Sequence, residues 1–304
     1  MHIPDSMLLG SVCPVTAVVT AVGIAVAAYC GVRAARRPTA ARFGAVTALI
    51  FAGQMLNFPI MDGTSGHLLG GVLAASLLGT PFGVLAIALV VALQSLVFSD
   101  GGITVLGANI LNMAILGAGL GGMMRSLLAA RWQGTRGGYM ATAVAAWVAV
   151  ILAAFAVSVE LAIDGQIAFS RVVIAMVATH ALIGVGEALI TVAVCMLLAT
   201  NVVSRRGSGQ VAVPLLAAFL LALLLTPFAS GFPDGLEWIA QQYGFLHQSA
   251  PAFVGPLSDY MVPWLDSDMF STGLAGVAGV ILSFGMAWSL SRLLGMFSTS
   301  EGAV

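Results

Sequence analysis

The sequence predicts an all-α integral membrane protein: a polytopic bundle of about nine transmembrane helices, with its amino terminus outside and its carboxyl terminus in the cytoplasm. Three observations lead there. Of 304 residues, 60% are hydrophobic and only 8% are charged, where a soluble domain carries about 25% charged residues. Apolar stretches of membrane-crossing length recur along the whole chain. The 11 basic residues are all arginine, and nearly all fall in connections that alternate crossings would place on one side. A net charge of −1 offers no basic surface for nucleic acid. Cys13, Cys30 and Cys195 lie in apolar runs without CxxC spacing. They read as small buried hydrophobes, neither disulfide partners nor zinc ligands.

The expected crossings are 12–32, 43–61, 82–98, 103–124, 139–161, 171–199, 211–230 and 269–291. A further stretch, 67–79 (HLLGGVLAASLLG), is short and is stopped by Pro81. Charge decides whether it crosses. Arg33, Arg36, Arg37 and Arg42 follow the first run, which puts the amino terminus outside. If 67–79 crosses, Arg125, Arg131, Arg136, Arg205, Arg206 and Arg292 are cytoplasmic too, and only Arg171 is external. The chain is therefore expected in the inner (cytoplasmic) membrane, surrounded by lipid. The long external segment 231–268 contains FPDGLEWIAQQYGF. Asp234 can cap a short helix there, with Leu236, Ile239, Ala240 and Tyr243 at helical spacing. Trp238 and Trp264 suit the membrane–water boundary, so this segment reads as an interfacial cap on the bundle.

The chain opens MHIPDS, which lacks the cationic start of a secretory signal. Besides Met1 and His2, the outer ends of the crossings carry Asn57, His67, Gln94, Asp100 and Asn109. An amino terminus followed by histidine offers an amine, an amide nitrogen and an imidazole, which close fused chelate rings. One more nitrogen completes a square plane, the geometry of Ni(II) or Cu(II), with Co(II) also suited. His67, in MDGTSGHLLGG, is the available fourth donor. Asn57, Ser65, Gln94, Asp100 and Asn109 are candidates to orient the imidazoles; each could equally make an ordinary loop or interhelical hydrogen bond. Asp5 reads as a brace for the first segment. His180 and Glu187 lie within the seventh crossing, where ionisable residues mark functional sites by default. A release path or coupling contact is one reading of them, and a structural polar lock is the preferred one.

The same stretches resemble a known family. MHIPD, NFPIMDGTSGHLLGG at 57–71, LVFSDGGITVLGANILNMA at 96–114 and HALIGVGEALIT at 180–191 are similar to the NikM/CbiM substrate-binding membrane component of cobalt/nickel energy-coupling factor (ECF) transporters. The resemblance divides the chain into a metal-binding domain, 1–205, and a C-terminal region, 206–304, that looks like a fused NikN/CbiN companion component. Ser6 departs from the family's usual glycine. The resemblance implies metal ligands at Met1 (amine), His2 (amide and imidazole) and His67. It also implies no catalytic function, and delivery of the ion through a partner transmembrane scaffold, the T component, driven by cytoplasmic ATPase subunits. The sequence agrees in having no G-x-x-x-x-G-K-[ST] motif, so energy comes from another polypeptide. Nickel is the expected substrate, because a nitrogen site favours it over cobalt, and Co(II) uptake is the alternative. A proton-coupled secondary transporter, with His180 and Glu187 as relay, is the other reading; it would usually show two repeated halves, and none is visible. No HExxH pair supports a metalloenzyme.

Overall fold

The structure, a computed structural model, describes residues 1–304 except Ser6, Leu9, Asp62, 203–208, 247–250 and 299–304. Ser6, Arg205 and Arg206, the last two expected on the cytoplasmic side, and the expected 205/206 domain junction fall outside the described residues.

Among the described residues, ten helices and one hairpin make up the fold, besides a short 3-10 turn at Ser258–Tyr260. They are α1 (Val12–Arg33), α2 (Ala40–Gln54), β1 (Asn57–Met61), β2 (Thr64–His67) and α3 (Gly71–Leu78). Then come α4 (Thr80–Phe98), α5 (Leu106–Arg131), α6 (Gly134–Ile163), α7 (Phe169–Val202), α8 (Gly209–Phe228), α9 (Gly235–Tyr243) and α10 (Asp268–Ser298). Among the described residues, seven helices are long and apolar enough to cross a membrane: α1, α4, α5, α6, α7, α8 and α10. The protein is a polytopic helical membrane protein. Its lipid-facing surface is plain on α1, where Val15, Val18, Val22 and Val26 are all more than half exposed.

The two remaining expected crossings, 43–61 and 67–79, are not continuous helices. α2 has 15 residues, about 22 Å at 1.5 Å per residue, and the chain then turns into β1. Pro59 has no N–H for helix or ladder, and it sits at the register shift between Pro59 and Met61, where an irregular strand tolerates it. α3 has only 8 residues, about 12 Å. It still changes ends of the bundle, because an extended link precedes it. Leu69 and Gly70 donate their N–H groups to the Glu187 carboxylate at 2.7 and 2.9 Å. The Leu69 carbonyl accepts from Gln54 Nε2 at 2.7 Å. Non-helical backbone inside a bundle requires such partners. At the far end of α3, the Leu77 carbonyl accepts from Arg42 at the start of α2, 2.7 Å away. Gly71 permits the close crossing with α5: a Cβ there would stand 2.6 Å from the Gly117 carbonyl carbon.

α2 is buried from Phe43 to Ala52, which explains why it reads as apolar on every face. α10 and α8 pack along it, so the C-terminal helices complete the core around the central one. At one end of the bundle Arg42, Arg125, Tyr139 and Gln210 line a common cavity. At the other end lie the hairpin, the amino terminus and the 231–268 segment. β2 is the middle strand of this cap: it pairs antiparallel with β1, His67 opposite Asn57. Its other edge meets the C-terminal segment, with Ser65 N–H donating to Pro233 O at 2.9 Å and a parallel bridge to Asp234.

Candidate metal-binding site

Met1 to Asp5 form no helix or strand of their own, yet Met1, His2 and Ile3 are buried. Their backbone is satisfied from elsewhere. Ile3 N–H donates to Asn109 Oδ1 at 2.8 Å, and Ile3 O accepts from Asn109 Nδ2 at 3.0 Å and from Gly102 N at 2.9 Å. Asp5 accepts from the Thr104 backbone and hydroxyl at 2.9 and 2.7 Å and from Ala252 N at 3.1 Å. It is the expected brace. In the SDGG turn, Gly101 has φ +86, and a Cβ there would lie 3.3 Å from that of His2, so glycine serves both the turn and the close approach.

The threaded amino terminus arrives at His67. The Met1 amine is 2.5 Å from His67 Nε2, and it also pairs with the Asp234 carboxylate. His67 Nδ1 lies 3.1 Å from the Leu68 carbonyl, which can only accept. Nδ1 therefore carries the hydrogen and Nε2 presents its lone pair to the amine. The His2 ring stacks on His67 with centroids 5.2 Å apart and planes 13° from parallel. His2 closes a ring of hydrogen bonds. Its Nε2 donates to Gln94 Oε1 (3.1 Å), Gln94 Nε2 to the Tyr260 hydroxyl (3.2 Å), Tyr260 to Asp100 Oδ2 (2.5 Å), and His2 Nδ1 faces Asp100 Oδ1 at 3.1 Å. Gln94 opens the π-helical last turn of α4, Gln94–Phe98, a local widening that often accompanies functional sites.

Burial works to raise the carboxyl pKa values of Asp100 and Asp234, but neighbouring positive charge wins at both. The His2 ring holds Asp100 below the usual carboxylate range. The terminal amine, then His67, does the same for Asp234. His67, at the end of β2, is pushed down to about 3, first by burial and then by the charged amine. A neutral imidazole is the form that binds metal. Beside the two rings a cavity of about 460 Å³ is walled by Asn57, Asp100, Asp234, Glu237, Asp259 and Tyr260, among others. Its acids suit a cation.

The expected site residues thus sort themselves. Met1, His2, His67, Gln94, Asp100 and Asn109 come together. Asn57 stands opposite His67 in the hairpin and lines the cavity. Ser65 turns away: its hydroxyl donates to Phe232 O at 2.8 Å and ties β2 to the C-terminal segment. Glu187 holds the link to α3, and His180 lies under the amino terminus in a small cavity with Met1, His67 and Asp234. Asp234 and Tyr260 were not expected here. Asp234 does cap α9 in a full capping box with Glu237, and that local role was legible; its second oxygen's reach to Met1, 233 positions away, was not. Among the described residues, no three His, Cys, Asp or Glu side chains could hold a metal by themselves, so a nitrogen site here enlists the amino terminus.

Comparison with known proteins identifies the family. Residues 2–206 match the CbiM family, described as a cobalt uptake substrate-specific transmembrane region, and residues 208–296 match the PDGLE domain. The chain is 35% identical to a protein of Archaeoglobus fulgidus, described as a "Putative fused nickel transport protein NikMN", over an alignment of 301 positions that covers 96% of this chain and 98% of that one. It is 31% identical to a cobalt transport protein CbiM of Sorangium cellulosum over 49% of this chain and 68% of the relative. A crystal structure of a transition metal transporter superposes with a TM-score of 0.60 at 27% identity, covering 68% of this chain and 95% of that one. The chain therefore belongs to the CbiM family of metal transport proteins, joined to a PDGLE domain, and is a transporter component and not an enzyme.

Proposed function

We propose that this chain is the substrate-specificity component of an ECF-type importer. It captures Ni(II) in a square-planar nitrogen site made by the Met1 amine, the His2 amide and imidazole, and His67. The observation that carries this reading is the 2.5 Å approach of the buried amine to the bare Nε2 of His67. Adjacent donors of a square plane stand about 2.9 Å apart when each is about 2.0–2.1 Å from the ion, so only a slight separation admits a metal. Both nitrogens of His2 face acceptors, Gln94 and Asp100; on binding, the ion takes the place of the hydrogen on Nδ1, and Gln94 keeps the ring oriented. Asp100 and Asp234 already balance the positive charge that the ion replaces.

Nickel is favoured over cobalt because the relative that aligns almost end to end is named for nickel transport and because nitrogen donors prefer nickel. Residues 1–205 would form the metal-binding domain and 206–304 the companion region. A T-component scaffold and cytoplasmic ATPase subunits would move the ion inward. The bonds from Glu187 to Leu69 and Gly70 favour a polar lock over a proton relay. His67→Ala should lower nickel affinity at least about 100-fold by calorimetry while leaving expression unchanged; unchanged affinity removes His67 from the site. In the inner membrane with the amino terminus outside, a cysteine placed at Arg136 should be labelled only from the cytoplasm, and one at Gln241 only from outside. The reverse pattern overturns that orientation.

A further inference from the structure

His180 and His67 hold their rings in the same way. His180 Nδ1 lies 2.8 Å from the Met176 carbonyl one turn back on α7. A carbonyl only accepts, so Nδ1 carries the hydrogen and Nε2 is left with its lone pair at the opposite edge of the ring. His67 offers that lone pair to Met1. His180 Nε2 is fully buried and has no hydrogen-bond partner among the described residues. The ring is 1% exposed and borders a cavity of about 10 Å³ shared with Met1, His67, Asp234 and Gly235. Gly235 is part of the arrangement: a Cβ there would lie 3.1 Å from His180 Cε1 and 2.9 Å from Ile183 Cδ1. A larger residue there would crowd the His180 ring and push Ile183 aside, so glycine suits the close seating of the PDGLE turn on His180.

A polar cavity of that size takes one water, provided that two to four polar groups surround it. Here the partners balance. A water can donate one hydrogen to His180 Nε2 and one to the Asp234 carboxylate, and accept one from the Met1 amine. From this geometry we infer that His180 is a positioning residue, which holds the amino-terminal donor in place through one buried water shared with Asp234. The inference rests on the nitrogen site proposed above and assigns that site a support from inside the membrane.

The test uses the purified full-length protein and Ni(II) alone. His180→Phe keeps a ring but removes the acceptor; His180→Gln restores an acceptor oxygen on a flexible side chain. Nickel affinity by calorimetry should fall about tenfold in the Phe variant and stay within about threefold of native in the Gln variant, the difference expected for losing a hydrogen bond to a charged group. Native affinity in the Phe variant, or equal losses in both, would overturn the inference. Should the variants fold poorly, a high-resolution structure of the native protein decides: a water about 2.8 Å from His180 Nε2 supports it, and an empty position sinks it. Failure of the nitrogen site itself reads differently, as native nickel affinity that survives His67→Ala.

Discussion

The two segments that meet at the site are held in opposite ways. Residues 1–5 have no regular structure, and the backbone of Ile3 is held by Asn109 and by Gly102 in the loop after α4, both about a hundred positions away. The PDGLE turn is self-sufficient: Asp234 accepts from Leu236 N and Glu237 N at 2.8 and 2.9 Å, and Glu237 accepts from Asp234 N in return. The first segment therefore depends on exact register against a distant scaffold, whereas the second carries its shape with it and contributes a single carboxylate. Precision at the proposed metal donors comes from the scaffold and not from local conformation.

This contrast can be broken most directly by moving the register. One residue added before Met1 displaces the amine by about 3.5 Å, far beyond the roughly 0.2 Å tolerance of a metal site. Nickel affinity should drop at least about 100-fold by calorimetry. Unchanged binding means that the amine is no donor. A smaller loss is expected from Asn109→Leu, which takes the side-chain partner from the Ile3 N–H and one of two from Ile3 O. An unmet buried group costs about 1–3 kcal/mol, so affinity should weaken by roughly 5- to 100-fold, with thermal stability in detergent lowered as well. Native affinity would show that the segment is held elsewhere. The smallest effect belongs to the self-capped side. Glu237→Ala removes half of the capping box and should cost about 0.5 kcal/mol, with nickel affinity within about threefold of native. A large loss there would erase the distinction between the two segments.

The sequence revealed what depends on solvent and hid what depends on folding. The long helices were legible because lipid demands an unbroken apolar stretch. β1 was not, since Phe58, Pro59, Ile60 and Met61 are as apolar as any crossing and only Pro59 spoke against a helix. That the start MHIPD, the histidine of SGHL and the acid of SDGG come together was legible through their donor chemistry and their place at the same ends of the expected crossings. Asp234 announced its cap through the spacing to Glu237, but its pairing with Met1 leaves no local trace. Tyr260 is a similar case: its bond to Asp100 spans 160 positions. Ser65 stands two residues from His67, a spacing that puts both side chains on one face of a strand, yet only the folded edge shows that the Ser65 hydroxyl turns to Phe232.

The junction at Ser65 has a consequence for how the protein can be encoded. Its N–H donates to Pro233, its hydroxyl to Phe232, and α10 lies along α2. These contacts join the CbiM part to the PDGLE part across the cap and through the core, and none of them runs through the peptide between 206 and 208. Two separate genes, one ending and the other beginning at that point, would therefore still supply these contacts. What unites them is written in a strand edge and a helix face, and a single reading frame merely guarantees that they are made in equal number.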